Sequence, residues 1–202
     1  GFARNGEKRM VAEQLTRARI FEAASSLFAE KSFQEVGIRE IAKRAGCSHT
    51  TIYLYFKNKD EILFEVASAP LEKLYQTSLE IYQSSESIEN RLLEVCHHFI
   101  RFGFQYASSN QLLFIVEGEE VDLPEFTKPI NQLRMKSFNI LKSLIQAVLP
   151  QSISEEKLFN IVRGTYLFLQ GMVINYASGD CGYNERLQTI VTDYLTFTLL
   201  DR

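Results

Sequence analysis

Residues that break helices are scarce in this 202-residue chain, which has 4 prolines and 10 glycines. No segment alternates apolar and polar residues as a half-buried strand would. Together these absences exclude a sheet-based fold and predict an all-α one. Cysteine is scarce too: Cys47, Cys96 and Cys181 are odd in number, scattered, and form no CxxC pair. That excludes a disulfide framework and a thiol-rich zinc site, and fits a reducing, cytoplasmic setting. No apolar run reaches the ~20 residues that cross a bilayer, and Gly1 to Gln14 is polar and basic rather than signal-like. A phosphate-gripping glycine loop, a nucleophile elbow, an HExxH pair and carboxylates paired in an apolar setting are all missing. Neither an enzyme nor a cofactor is expected.

Apolar residues at helical spacing run through almost the whole chain. Ile20, Ala23, Ala24, Leu27 and Phe28 form one stripe, predicting a first helix over Thr16 to Lys31. A second follows over Ile38 to Ala45, Gly46 can take the left-handed turn, and Ser48 can cap a third through Phe56. Asn58 with Glu61 has capping-box spacing for a longer fourth helix, which Pro70 should bend or interrupt. Further helices are expected over Ile88 to Ala107, Gln111 to Val116, about Thr127 to Leu149, Ser152 to Ala177 and Asn184 to Leu200. The stretch holding Glu117, Glu119, Glu120 and Asp122 reads as an exposed acidic loop rather than a cation site.

Charge is unevenly placed. Gly1 to Asp60 holds 11 Lys/Arg against 7 Asp/Glu, a net of +4, so with the whole chain at −3 the remainder carries −7. A basic head on an acidic body suits a protein of which one end meets phosphate. The head also holds two short helices hinged at Gly46, and a helix-turn-helix of this kind lays its second helix in the DNA major groove. The leading turn of that helix must be small or hydrogen-bonding. His49, Thr50 and Thr51 meet that demand, and can reach base edges or a thymine methyl. Ile52 and Phe56 should face inward as anchors, while the phenols of Tyr53 and Tyr55 can reach phosphate. Lys59, at the amino end of the fourth helix, would add its charge to free backbone N–H groups. Arg39 can reach phosphate or a flanking base, and Ser48 and Lys57 complete the candidate DNA-binding set.

These residues resemble a known family. Arg19-Ile20, Ala23-Ala24, Leu27-Phe28, Phe33, Ile41-Ala42, Ala45-Gly46, Ser48, Tyr53, Phe56 and Lys59 are similar to the signature of TetR-family transcriptional regulators. The resemblance spans about Arg17 to Leu63 without gaps. It implies that His49, Thr50, Thr51, Tyr53, Tyr55 and Lys59 contact operator DNA, with Arg39 a further contact. It also implies an all-helical dimer joined through its last two helices, most often a repressor released by a small ligand. Three positions depart from the pattern: Ser32 stands for a glycine, Gly37 for a threonine or serine cap, and Cys47 for a valine. The expected organisation is a DNA-binding domain over residues 1–62 and a ligand-binding and dimerisation domain over 63–202.

Past Leu63 the body is read physically. Leu158 to Ala177 is apolar almost all round, and the closing helix carries Leu187, Ile190, Val191, Tyr194, Leu195 and Leu199 on a wide stripe. Two such helices from each subunit would make an isologous four-helix interface. Phe102, Tyr106, Phe114, Phe138, Tyr166 and Gln170 are the candidates for a pocket between helices. Gln170 and Asn175, odd in an apolar helix, fit a dimer contact and a ligand contact equally. His97 and His98 are adjacent, so on a helix they point apart and cannot chelate together; no metal is expected. Competing readings are a helical protein–protein interaction module and a regulator without an inducer pocket.

Overall fold

The computed structural model describes residues 2–106 and 129–201, and among these there is no strand. The helices are α1 (Phe2–Glu30), α2 (Ile38–Ala45), α3 (His49–Tyr55), α4 (Lys59–Gln83), α5 (Ile88–Gln105), α6 (Pro129–Val148), α7 (Glu155–Tyr176) and α8 (Glu185–Leu195). A π-helical turn, Thr196–Leu200, closes the chain. Two compact units divide between Ala69 and Pro70, within α4. Phe114, the expected helix Gln111 to Val116 and the acidic stretch lie outside the described residues.

In the first unit, Ile20, Ala24, Leu27, Val36, Ile41, Ile52, Ile62 and Leu63 are sealed from solvent. Each of the Ile, Leu and Val side chains among them contributes ~1.5–3 kcal/mol by leaving water. The first turns of α4 therefore belong to the core of the head. Helix α1 begins well before the expected Thr16. Its added turns bury no face, so periodicity gives no sign of them. What sustains them is a run of good helix formers and local bonds: Arg9 to Glu13 at 3.1 Å, and Thr16 Oγ1 donating to the Ala12 carbonyl at 3.0 Å. The bidentate pair of Arg44 on Glu30, at 2.6 and 3.0 Å, ties α2 to the end of α1 and lowers the Glu30 carboxyl pKa.

In the second unit the core is built from Leu92, Cys96 and Ile100 of α5, Leu144 and Ile145 of α6, Val162, Leu169 and Val173 of α7, and Leu187 and Val191 of α8. Gly103 fixes how closely α5 meets α7, since a Cβ there would stand 2.5 Å from the Val173 side chain. Helix α7 starts at Glu155 and its cap is Ser154, not the expected Ser152; the Ser154 hydroxyl accepts from the Lys157 N–H at 3.2 Å. The Ile153 N–H bonds the Pro150 carbonyl, so Ser152 is spent in the turn. Pro70 does not interrupt α4, which is continuous around it.

His97 and His98 do point apart. His97 is buried, its Nδ1 2.6 Å from the Tyr183 hydroxyl and its Nε2 2.9 Å from Thr192 Oγ1. His98 instead faces the Leu74 backbone on α4. Desolvation, then the nearby Arg101 charge, holds the His97 pKa below its usual value.

Candidate nucleic-acid interface

The geometry of the head follows from three local devices. Gly46 sits at φ 72°, the left-handed conformation that ends α2, and its N–H bonds the Ala42 and Lys43 carbonyls. Ser48, extended at φ −76°, ψ 155°, caps α3 by accepting from the Thr51 N–H at 3.1 Å. Asn58 Oδ1 accepts from the Glu61 N–H at 2.9 Å, while Glu61 reaches back to the Lys57 N–H at 2.5 Å. Gly37 leaves α2 without a side-chain cap.

These devices set α3 with one face anchored and one face out. Ile52 and Phe56 are buried at 0% and 2% exposure. Opposite them, Thr50, Tyr53 and Leu54 share a face at i, i+3, i+4 spacing, and all three are exposed, as is Lys57 just past the extended C-cap Phe56. Ser48 and His49 are exposed beside them, Thr51 and Tyr55 are half-buried, and Arg39 is exposed on α2. The Ser48 hydroxyl also lies 2.8 Å from both Thr50 Oγ1 and Thr51 Oγ1, which orients the leading turn. Leu54, 81% exposed, was not in the sequence-based set. Its signal was available: an apolar residue one turn on from Thr50 rather than at the register of the inward Ile52.

Lys59 is committed inward more than its position in the sequence implies. Its Nζ donates to the Phe33 carbonyl at 2.7 Å and the Val36 carbonyl at 3.0 Å, over the Phe33 ring at 4.2 Å. An ammonium has three donors, so one is left for an anion. Arg17 acts in the same way, donating to the Tyr55 carbonyl at 3.0 Å, pairing with Glu65 and covering the Phe56 ring. Arg17 thereby holds the end of α3 in place, while Lys59 ties the start of α4 to the connection between α1 and α2.

Among the body candidates, Phe102 is buried and its ring centroid lies 4.7 Å from that of Tyr106. Phe138 and Tyr166 meet edge to face at 5.8 Å, and Phe99 joins Tyr166 at 5.6 Å. Gln170 is half-buried one turn beyond Tyr166. Asn175 is exposed and bonds the Gly171 carbonyl of its own helix. Sequence reasoning missed Asn131, Arg134 and Ser137, polar residues of α6 that are all buried. Among the described residues no group of three or more His, Cys, Asp or Glu is placed to hold a metal, and no helix is long and apolar enough to cross a membrane.

Comparison with known proteins agrees with this geometry. Residues 20–66 match the family described as bacterial regulatory proteins, tetR family. The fatty acid metabolism regulator protein of Bacillus subtilis is 29% identical over 129 residues, covering 62% of this chain and 64% of that protein. An uncharacterized HTH-type transcriptional regulator of Mycobacterium tuberculosis is 41% identical over 49 residues, covering 24% of each. The chain thus spans less than two thirds of the length of these curated relatives. The solved fatty acid degradation regulator FadR of Bacillus halodurans superposes with TM-score 0.64 at 22% identity, over 92% of this chain and 96% of that one. FadR of Bacillus subtilis, solved in complex with stearoyl-CoA, gives 0.63 at 21%, over 92% and 100%. At such identities these two speak for the fold. Sequence match, helix-turn-helix geometry and fold converge: residues 20–66 match the tetR family of bacterial regulatory proteins, and the fold is similar to that of its solved members.

Proposed function

We propose that this protein is a transcriptional regulator, a repressor without enzymatic activity, that grips a palindromic operator as a homodimer and lets go when a small molecule binds its body. Residues 1–62 read DNA, and residues 63–202 bind the effector and pair the subunits. The observation that carries this reading is the outward face of α3, with its polar, hydrogen-bonding and basic groups opposite a sealed apolar anchor. Ser48, His49, Thr50 and Thr51 address base edges, while Tyr53, Tyr55, Lys57, Lys59 and Arg39 address phosphates.

Dimerisation is supported by large apolar side chains left in water. Leu167 and Ile174 of α7 are 63% and 51% exposed, and Phe197, in the π turn after α8, is 76% exposed. With Ile190 and Tyr194 they make the kind of patch that soluble proteins cover with a partner. An isologous pairing of two such patches sets the two reading helices about one DNA turn, roughly 34–36 Å, or a multiple of it apart. For the effector, the aromatic set Phe102, Tyr106, Phe138 and Tyr166 with Gln170 supports an apolar molecule with a polar end. A relative solved with stearoyl-CoA makes acyl compounds the first class to try.

The test is a titration of genomic operator fragments against salt. A DNA reader loses affinity with a log–log slope of roughly −0.9 per phosphate neutralised. Failure to bind any fragment at low ionic strength would refute the proposal.

A further inference from the structure

Proteins that read base edges directly meet guanine with Arg or Lys, adenine with Asn or Gln, and cytosine with Asp or Glu. Helix α3, His49–Tyr55, holds none of these residue types. Its hydroxyls are partly engaged already. Thr50 Oγ1 and Thr51 Oγ1 each lie 2.8 Å from Ser48 Oγ, so a base that bonds them competes with contacts inside the protein. Readout by forked hydrogen bonds is closed to this helix.

What α3 offers instead is Leu54. At 81% it is the most exposed large apolar side chain among the described residues. It lies one turn on from exposed Thr50, beside exposed Tyr53, and away from the sealed Ile52. The helix that carries it is pinned at both ends. Ser48 caps the start by accepting from the Thr51 N–H at 3.1 Å, and Arg17 donates to the Tyr55 carbonyl at 3.0 Å while covering the Phe56 ring at 4.5 Å. A side chain on a helix held in this way has less freedom to lose when it meets a partner. A single exposed leucine elsewhere on a surface needs no account. This one stands on the face that the second helix of a helix-turn-helix turns into the major groove.

We propose that Leu54 is a specificity residue that reads thymine by packing on its 5-methyl group, an assignment that rests on the reading of the first unit as a DNA-binding domain. In the major groove the other three bases present donors and acceptors, and the thymine methyl is the one sizeable apolar group a leucine can cover. Set against guanine, adenine or cytosine, the same side chain strips water from a polar edge and returns no bond. Leu54 thus favours thymine and disfavours the other bases at one position. Phosphate contacts from Arg39 and Lys57 would fix the register of the helix without making that choice.

The experiment starts by selecting the bound site from random duplexes with the full chain at low ionic strength. Each thymine of that site is then replaced in turn by deoxyuridine, which removes the methyl and keeps the base pair, and affinity is read by fluorescence anisotropy. At one thymine per half-site the wild type should bind the deoxyuridine duplex about fourfold more weakly, the scale of one methyl group returned to water. Leu54→Ala, at a position too exposed to carry the fold, should bind the two duplexes alike there. Leu54→Met, which keeps an apolar reach, should retain the difference. A site in which no thymine is sensitive to the exchange, or a Leu54→Ala protein as sensitive as the wild type, would overturn the assignment and leave the DNA-binding reading intact. If no duplex is enriched, that reading falls and the assignment falls with it.

Discussion

The surface of α3 in the first unit and the surfaces of α6, α7 and the π turn in the second differ in which side chains they bury and which they expose. In the head, polar groups face out along α3 while Ile52, Phe56, Ile20 and Leu27 are sealed inside. In the second unit, Asn131, Arg134 and Ser137 are buried, while Leu167, Ile174 and Phe197 stand in water. A polar outward face suits a hydrated polyanion, and an apolar outward face suits another protein. On the function proposed above, the contrast pairs each of these surfaces with one kind of partner.

The largest effect should come from the exposed apolar face. Leu167→Glu with Phe197→Glu should dissociate the dimer, read by sedimentation velocity, and weaken operator binding by roughly 100-fold, since few buried aromatic anchors carry most interface energy. A variant that stays dimeric would break the contrast at its strongest point. Next comes the face of α3. Thr50→Ala should change sequence preference by ~1–3 kcal/mol at the bases it meets, whereas Lys57→Ala should weaken all sequences and flatten the salt slope. Lys59→Ala should do as Lys57→Ala does and also cut folding stability, by about 1 kcal/mol per lost carbonyl bond, which lowers the melting temperature. If Lys57 and Lys59 variants melt alike, the inward role of Lys59 is wrong.

Acid should act on the second unit more than on the head. The folded pKa values of His97 and His98 lie below the ordinary 6.5, burial being the first cause and Arg101 the second. As pH falls below 6.5 the unfolded chain takes up these protons first, so the stability present at neutral pH is lost as pH descends through the folded values. Melting curves between pH 7.5 and 5 should show this fall, and His97→Gln should flatten it. The smallest change expected is a gain. Gly37 has extended φ of −97° and nothing within 4 Å of an added Cβ, so Gly37→Ser can supply the missing cap of α2 for a few tenths of a kcal/mol.

Much of the head can be read from the chain because its signals are local. The glycine turn at Gly46, the caps at Ser48 and Asn58 and the inward pair Ile52 and Phe56 each lie within a few residues of what they control. The early start of α1 is invisible to periodicity because those turns bury nothing. The cap at Ser154 competes with an equally suitable Ser152 two residues away, and only the turn made by Pro150 decides between them. Arg134 escapes for a different reason: a charged residue in a helix reads as solvent-facing until its neighbours are known.

The order of residues by itself determined the helical class, the hinge at Gly46 and the two faces of α3, because hydrogen-bond caps, φ preference and apolar spacing act over a turn or two of chain. Tertiary structure alone decided that Lys59 clamps carbonyls 23 and 26 residues away, that His97 bonds Tyr183 86 residues on, and that Arg134 meets Tyr166 across 32 residues. Burial and polar pairing are properties of which helices pack together, and that choice is settled by the whole core rather than by any one segment.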